Sequence, residues 1–317
     1  MQQFLKKTFF FILIPVLFLF IGITLPAYPG ASSTYLFAKR DKDSLLLNTS
    51  SPRILLMGGS NLALSMNSQI LRDSIQMNPV NTGLDCNIGL TYMIDNILRY
   101  VKKGDIVLLS VEYEQFFGRL MYGGYPCPVI EFEVSPWHWL RLSFNQWVTL
   151  LRVTPGYALA RLKIWKYFSS APINADGNYM RASFNQFGDH VSHWTMKSKS
   201  PVSTHSFEGG FNKKIIKALL DFRDSLQRKE AVFLVTYPPY QASSYENNLE
   251  QITVVKQAIE NAGFKILGNP DRYKMPDSLM FDSPYHMIKK GVGIRTQFMQ
   301  ADIRMVLEEI NDKKTNG

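Results

Sequence analysis

A serine near one end of the chain and a histidine near the other are residue types suited to nucleophilic chemistry. Ser60 follows the apolar run Ile54 to Met57 and two glycines, so it stands between a predicted strand and a predicted helix. A hydroxyl placed there lies at the carboxyl end of a strand, close to the positive end of a helix. The position predicts either a nucleophile or a serine that only caps the helix.

The histidine belongs to a short turn, Asp282 to His286, directly before the last predicted helix. A carboxylate and an imidazole in one turn can contact each other, and the carboxylate then fixes which ring nitrogen carries the proton. The other nitrogen is left to accept a proton from a hydroxyl. The alternative is a capping aspartate beside a surface histidine. Chemistry therefore requires a fold that brings Ser60 and His286 together.

Strands and helices alternate along most of the chain. The predicted strands are 53–57, 80–83, 106–111, 231–237 and 264–267, and the predicted helices are 62–75, 91–102, 211–229, 246–262 and 289–310. This alternation predicts an α/β fold with a parallel sheet covered by helices on both faces. Because parallel strands end at the same edge of a sheet, residues that follow different strands meet there.

The alternation breaks at an insertion of about 116–210, which is rich in Trp, Tyr and Phe and has no acidic residue from 137 to 175. We predict a helical insertion, with helix over much of 140–168. Its aromatic side chains either pack on the edge of the sheet or form, with nearby arginines and lysines, a face that contacts anionic lipid or a glycan. Both alternatives stay open.

The first 27 residues predict a membrane anchor, because an almost unbroken apolar run from Phe9 to Leu25 follows Lys6 and Lys7. A cleaved signal peptide is the alternative. In both cases the rest of the chain is exported. Residues 28–52 are polar and predict a tether, and residues 53–317 predict one domain that carries the insertion.

Composition narrows the classes of partner. The chain has 317 residues, of which 46% are hydrophobic, and a net charge of +9, so it can bury a large core and favours anionic neighbours. It has no nucleic-acid-reading motif, and we expect no nucleic-acid partner. Cys86 and Cys127 could form a disulfide in an exported protein. Asp189, His190 and His193 are too few for a metal site, so we expect no metal and no cofactor.

Three short blocks, taken in order, resemble the SGNH (GDSL-type) hydrolase superfamily over about residues 50–310. The blocks are Gly58-Gly59-Ser60-Asn61 after the first strand, Asn81-Thr82-Gly83 after the second, and Asp282 to His286 before the last helix. Within the superfamily the chain is similar to membrane-anchored proteins of bacterial envelope pathways. These include D-alanine transfer proteins of lipoteichoic acid synthesis and polysaccharide O-acetyltransferases, and the run from Lys103 to Glu114 is also similar to this group.

The resemblance implies a three-layer α/β/α sandwich with a flavodoxin-like parallel sheet, and it implies a role for each matching residue. Ser60 is expected to be the nucleophile, His286 its general base and Asp282 the residue that orients the histidine. Gly83 and the backbone N–H groups of Ser60 and Asn61 are expected to form an oxyanion hole. The implied reaction is acyl transfer or ester hydrolysis through an acyl-enzyme. The implied partners are an envelope polysaccharide or polyol polymer and a membrane-bound O-acyltransferase.

Two positions depart from the superfamily pattern. Its acid usually stands three residues before the histidine, where this chain has Ser283, and its third block usually offers an asparagine where this chain has Glu112. The further candidates for the crevice are Asn81, Asn87, Glu112 and Tyr237. The alternative function is therefore a catalytically inactive accessory protein that binds an envelope polysaccharide or a membrane acyltransferase.

Overall fold

A computed structural model of the chain contains a five-stranded parallel sheet. The structure describes residues 1–136, 138–169, 177–199, 202–204 and 206–315, with side chains of the last helix only as far as residue 309. The strands are β1 (Arg53–Met57), β2 (Asn78–Asn81), β3 (Ile106–Leu109), β4 (Val232–Thr236), β5 (Tyr240–Gln241), β6 (Ile266–Leu267) and β7 (Lys274–Met275). The sheet has the order β2-β1-β3-β4-β6, and β5 pairs separately with β7.

Eleven α-helices connect or flank these strands in the described part of the chain. They are α1 (Gln2–Thr24), α2 (Ala38–Asn48), α3 (Ser60–Ala63), α4 (Ser68–Ile75), α5 (Leu90–Tyr100), α6 (Cys127–Val129), α7 (Phe144–Arg161), α8 (Lys214–Arg228), α9 (Ala242–Asn247), α10 (Leu249–Asn261) and α11 (Lys289–Thr315). The α/β class and the parallel sheet, both predicted from the alternation of elements, are confirmed.

Both faces of the sheet are buried against helices. Leu55 and Met57 of β1 belong to a core that includes apolar residues of α5, α8 and α10. Ile54 and Leu56 point to the other face and belong to a core shared with α4 and α11. A strand whose two faces are both covered needs a continuous apolar run, which is why Ile54 to Met57 carries no polar residue.

The chain leaves β1 for β2 on one side and then returns to β3 on the other side of β1. Ligands bind at such a reversal of strand order, beyond the carboxyl ends of the strands. Ser60 follows β1 and Glu112 follows β3, so both stand at this place. The strand ends are very close: a Cβ on Gly58 would lie 2.0 Å from the carbonyl oxygen of Ser110.

Two predicted helices are each divided in the structure. The predicted helix 62–75 consists of α3 and α4, and the predicted helix 246–262 lies over α9 and α10. Near the first break, the buried guanidinium of Arg295 donates to the carbonyl oxygens of Asn61 at 3.0 Å and Ser65 at 3.4 Å. A partner from 230 residues away thus replaces part of the hydrogen bonding of a continuous helix.

The predicted tether is wrong for much of 28–52, because α2 lies in it and is packed on the domain. Leu46 is fully buried, and Lys42 Nζ donates to the carbonyl oxygens of Asn81 at 3.0 Å and Gly188 at 2.5 Å. Burial lowers the pKa of Lys42 to about 7. The polar side chains of the segment 28–52 suggested solvent exposure. Several of them instead donate hydrogen bonds to backbone carbonyl groups of the folded domain.

The N-terminal helix α1 is long and apolar enough to cross a membrane, a property that a signal sequence shares. It contacts α7 of the insertion, where a Cβ on Gly22 would lie 2.5 Å from the carbonyl oxygen of Ala158. The insertion also contains α6 and several short 3-10 turns. Residues 137, 170–176, 200–201 and 205 of the insertion lie outside the described residues.

Candidate active site

One cavity of about 740 Å³ is lined by the predicted nucleophile, its predicted base and two of the crevice candidates. It lies beyond the carboxyl ends of β1 and β3, and Ser60, Glu112 and His286 all line it. The fold therefore brings to one cavity two segments that are more than 200 residues apart in the sequence. Asn87, predicted for the crevice, also lines the cavity.

Asp282 and His286 form the predicted local pair. His286 Nδ1 lies 2.8 Å from Asp282 Oδ1, and the hydroxyl of Tyr179 donates to Asp282 Oδ2 at 2.7 Å. Burial alone would raise the pKa of Asp282, but the hydrogen bonds from His286 and Tyr179 hold it below its ordinary value. A charged Asp282 accepts from Nδ1–H, which leaves Nε2 of the ring as the nitrogen available for proton transfer.

The hydroxyl of Ser60 contacts Glu112 rather than His286. Ser60 Oγ donates to Glu112 Oε1 at 3.2 Å, and the same oxygen accepts the backbone N–H of Asn61 at 2.8 Å. The described residues include no hydrogen bond between Ser60 and His286. Hydrogen bonds of a catalytic site are often long before substrate binds. Both Glu112 and His286 are therefore candidates for the base that takes the proton of Ser60.

Two of the three backbone donors predicted for the oxyanion hole are already engaged. The backbone N–H of Asn61 is bonded to Glu112, and that of Gly83 donates to Asn81 Oδ1 at 3.0 Å. The side chain of Asn61 is buried and donates to the carbonyl oxygen of Ser110 at 3.1 Å. Glu112 thus occupies the position that a substrate oxyanion would need in order to bind the N–H of Asn61.

The carboxyl group of Glu112 is buried in the fold. Its residue is 1% exposed, and Oε2 has no hydrogen-bond partner among the described residues. Burial raises the pKa of Glu112 to about 7, although the bond from Asn61 opposes that shift. A Cβ on Gly59 would lie 2.4 Å from Oε2, so a side chain there would displace the carboxyl group. Near neutral pH this group exchanges between an acceptor-only carboxylate and a neutral acid that can donate.

Replacing Glu112 by Gln is expected to remove a pH dependence of stability. Between the ordinary value of 4.5 and about 7 the folded protein holds a proton that the unfolded chain has lost, so stability falls as pH rises. The loss reaches about 3 kcal/mol above pH 7. Chemical unfolding in detergent at about pH 5 and about pH 8 measures it. The exposed Glu250, changed to Gln, is the control, and parallel pH curves for wild type and Glu112→Gln would contradict the expectation.

Two other residues that were predicted for the crevice do not line the cavity. Asn81 is fully buried and joins the carbonyl oxygen of Leu62 to Asp189, with Nδ2 at 2.9 and 2.8 Å from the two acceptors. It supports the loop behind the site and is not among the residues that line the cavity. The prediction that Tyr237 lines the crevice is wrong, because it is 2% exposed and lies beside Val255 in the core.

The sequence analysis missed three residues that build the site. Tyr179 comes from the insertion and holds Asp282. Arg295 is fully buried and donates to Ser110 Oγ at 3.0 Å as well as to the carbonyl oxygen of Asn61. Tyr285 donates to Glu114 Oε2 at 2.6 Å at the cavity wall. Each acts across a long sequence separation, and only Tyr285 stood inside a motif that the sequence had marked.

The remaining chemical candidates have structural partners. His190 Nδ1 and His193 Nδ1 lie 2.9 Å apart, and burial lowers the pKa of His190 to about 3 and that of His193 to about 4. Cys86 and Cys127 are free thiols rather than a disulfide. Among the residues that the structure describes, no group of three His, Cys, Asp or Glu side chains is arranged as metal ligands.

Comparison of the chain with protein-family models gives no match, and comparison with curated proteins also gives none. The protein is therefore described by its fold and its site. It is an α/β protein in which one cavity is lined by a serine, a glutamic acid whose pKa is raised, and a histidine that is hydrogen-bonded to an aspartate.

Proposed function

We propose that the protein is a serine acyltransferase or esterase of the SGNH type, with its three-layer sandwich, acting on a cell-envelope polysaccharide or related polymer. The observation that carries the proposal is that Ser60 and the Asp282-held His286 line the same cavity at the carboxyl edge of the sheet. Residues of the first and third sequence blocks line this cavity, whereas Asn81 of the second block lies behind it.

The proposed reaction has two steps. Ser60 Oγ attacks the carbonyl carbon of an ester, its proton passes to Nε2 of His286, and the bond to the alcohol oxygen breaks as that oxygen takes the proton. The acyl group is then on Ser60. A hydroxyl of the polymer or a water molecule attacks this acyl-enzyme, loses its proton through the same histidine and releases Ser60. The acceptor decides between transfer and hydrolysis.

An oxyanion forms in each step, and it can bind the N–H of Asn61 only if Glu112 becomes protonated or rotates away. A carboxylate beside Asn61 N–H repels the developing negative charge, whereas a protonated Glu112 can donate to it. The pKa of about 7 allows the neutral form near neutral pH. We therefore assign the protonated acid of Glu112, or its rotation away from Asn61, to the active form.

Labelling with a serine-directed fluorophosphonate tests the proposal. We expect an adduct on Ser60 in the full-length protein, because the reagent phosphonylates a serine whose proton a neighbouring base removes, with fluoride as the leaving group. Ser60→Ala is expected to abolish the adduct. Ser283→Ala, which changes a second serine that lines the same cavity, is expected to keep it. A folded protein that forms no adduct on Ser60 would refute the proposal that Ser60 is a catalytic nucleophile.

We further propose that α1 is an uncleaved anchor in a bacterial cytoplasmic membrane, with the domain outside the cytoplasm and a membrane-bound O-acyltransferase as a partner. The apolar length of α1 supports the anchor, and the basic residues before it favour keeping the N-terminus inside. We expect the full chain to stay in membranes during an alkaline carbonate wash. Release of the protein, or a mature N-terminus beyond residue 27, would support a cleaved leader.

One observation favours the second candidate function, a non-catalytic accessory protein. The carboxyl group of Glu112 accepts hydrogen bonds from the backbone N–H of Asn61 and from the hydroxyl of Ser60. A protein that never reacts at Ser60 could keep this arrangement and use the cavity or the insertion to bind an envelope polysaccharide or a membrane acyltransferase. The labelling experiment separates the two functions.

A further inference from the structure

The cavity that contains Ser60 also reaches the end of the apolar helix α1. Tyr28, four residues after α1, lines it, as do Ala160 and Arg161 at the end of α7. The cavity therefore connects the reactive serine to the part of the fold where an anchor in α1 would leave the bilayer.

Several contacts hold this far end of the cavity against α1. Arg161 Nη2 donates to the carbonyl oxygen of Leu25 at 2.6 Å, and the hydroxyl of Tyr167 donates to that of Pro26 at 2.9 Å. The rings of Tyr28 and Tyr167 lie 4.6 Å apart. Tyrosines concentrate at membrane–water interfaces, so this cluster fits the surface of a bilayer. The far end of the cavity then opens at the level of the lipid head groups.

The surface of the cavity as a whole is mostly apolar. Ala31, Leu36, Leu84 and Val129 line it, and Leu84 is only 3% exposed. Such a wall suits a hydrocarbon chain rather than a sugar, which needs many hydrogen-bond partners.

The end of the cavity near Ser60 carries acidic side chains. Asp85, Glu112 and Glu114 line it. Arg161 stands at the other end, where it is ion-paired to Glu133 at 2.8 Å. Even with Glu112 protonated, as the proposed active form requires, the acidic side chains of Asp85 and Glu114 disfavour an anionic group near the reacting position. The group that reaches Ser60 is therefore neutral.

We propose that this cavity takes the acyl chain of a neutral lipid ester that enters from the bilayer. The inference rests on the proposed serine chemistry for its outcome: the ester carbonyl meets Ser60 Oγ, a bond forms to the acyl carbon, and the bond to the alcohol oxygen breaks as that oxygen takes the serine proton. The products are acyl-Ser60 and the alcohol. The acyl donor is thus a lipid of the membrane, and the polymer is the acceptor.

Photo-crosslinking of the full-length protein in phosphatidylcholine nanodiscs tests the inference without requiring turnover. The probe is a monoacylglycerol with a diazirine in the middle of its chain, and the protein is the Ser60→Ala variant, which leaves the ester intact. We expect adducts on cavity-wall segments that contain Leu84, which is buried, and Val129, which is partly buried. Unlabelled monoacylglycerol is expected to compete, and glycerol is not.

A matched pair of variants identifies the route. Ala160→Trp fills the far end of the cavity, and Leu159→Trp adds the same side chain on an exposed neighbour that does not line it. Each excluded methylene lowers binding about fourfold, so we expect Ala160→Trp to reduce the cavity-wall adducts on the order of tenfold. Leu159→Trp is expected to leave them unchanged.

The outcomes separate this inference from the proposed function. Adducts confined to α1 and other exposed segments, or equal loss in both tryptophan variants, would overturn the lipid ester. If Ala160→Trp fails to fold, the competition experiment on the Ser60→Ala protein still decides. A fluorophosphonate adduct on Ser60 together with no cavity-wall adduct would leave the serine enzyme standing and reject the lipid donor alone.

Discussion

Replacing Asp282 by Asn is expected to slow fluorophosphonate labelling of Ser60 by about ten-thousandfold, since a triad whose carboxylate becomes an amide holds the histidine in the wrong tautomer. The asparagine keeps a side chain of the same shape beside His286 Nδ1, which lies 2.8 Å from Asp282 Oδ1, but it removes the negative charge. The measurement is the second-order rate constant for labelling at neutral pH, which requires no knowledge of the natural substrate.

Tyr179→Phe is the control for this prediction. It removes one hydrogen bond to Asp282 and leaves the carboxylate, so we expect a loss of only about tenfold. Equal labelling of wild type and Asp282→Asn would contradict His286 as the base. It would instead assign the proton of Ser60 to Glu112, to which the hydroxyl is hydrogen-bonded.

Replacing Asp105 by Asn is expected to destabilise the fold by about 3–5 kcal/mol, because it leaves the guanidinium of Arg53 buried without a counter-charge. Both side chains are fully buried, and Arg53 Nε donates to Asp105 Oδ1 at 2.9 Å. Arg53 also donates to the carbonyl oxygen of Tyr100 at 3.0 Å, so the pair connects β1, α5 and the start of β3. Chemical unfolding in detergent measures the loss.

The exposed pair Lys103–Glu230 gives a matched comparison, with side chains 74% and 62% exposed. Glu230→Gln is expected to cost less than about 1 kcal/mol. A double change, Arg53→Met with Asp105→Leu, is expected to recover much of the loss because it removes both charges together. Similar losses for Asp105→Asn and Glu230→Gln would contradict the argument.

The parts of this protein that follow from short-range patterns were predictable. The strand at Arg53–Met57 has the predicted bounds, because its last four residues form the continuous apolar run that a strand covered on both faces favours. The Asp282–His286 contact was predictable for a similar reason: the two residues stand only four positions apart in one turn. In both cases the sequence spacing itself carries the geometry.

The parts that depend on the order of the strands were not. Glu112 reaches Ser60 because β3 lies directly beside β1, and no periodicity within either strand states that neighbour. Tyr179 reaches Asp282 across more than 100 residues, from an insertion whose course the sequence does not indicate. The polar segment 28–52 was misread for a related reason, because its lysine, Lys42, finds backbone acceptors that only the folded domain provides.

The packing of α2 on the domain fixes the distance between Ser60 and the end of α1. A flexible linker would let the domain move through a large volume above a membrane, whereas contacts of Lys42, Leu46 and Arg161 hold it at one distance and one orientation from α1. With α1 in the bilayer, as we propose, Ser60 is expected to reach only acceptors at that distance from the membrane. We expect polymer chains that lie along the membrane to be within reach, and those farther out in the envelope to be out of reach.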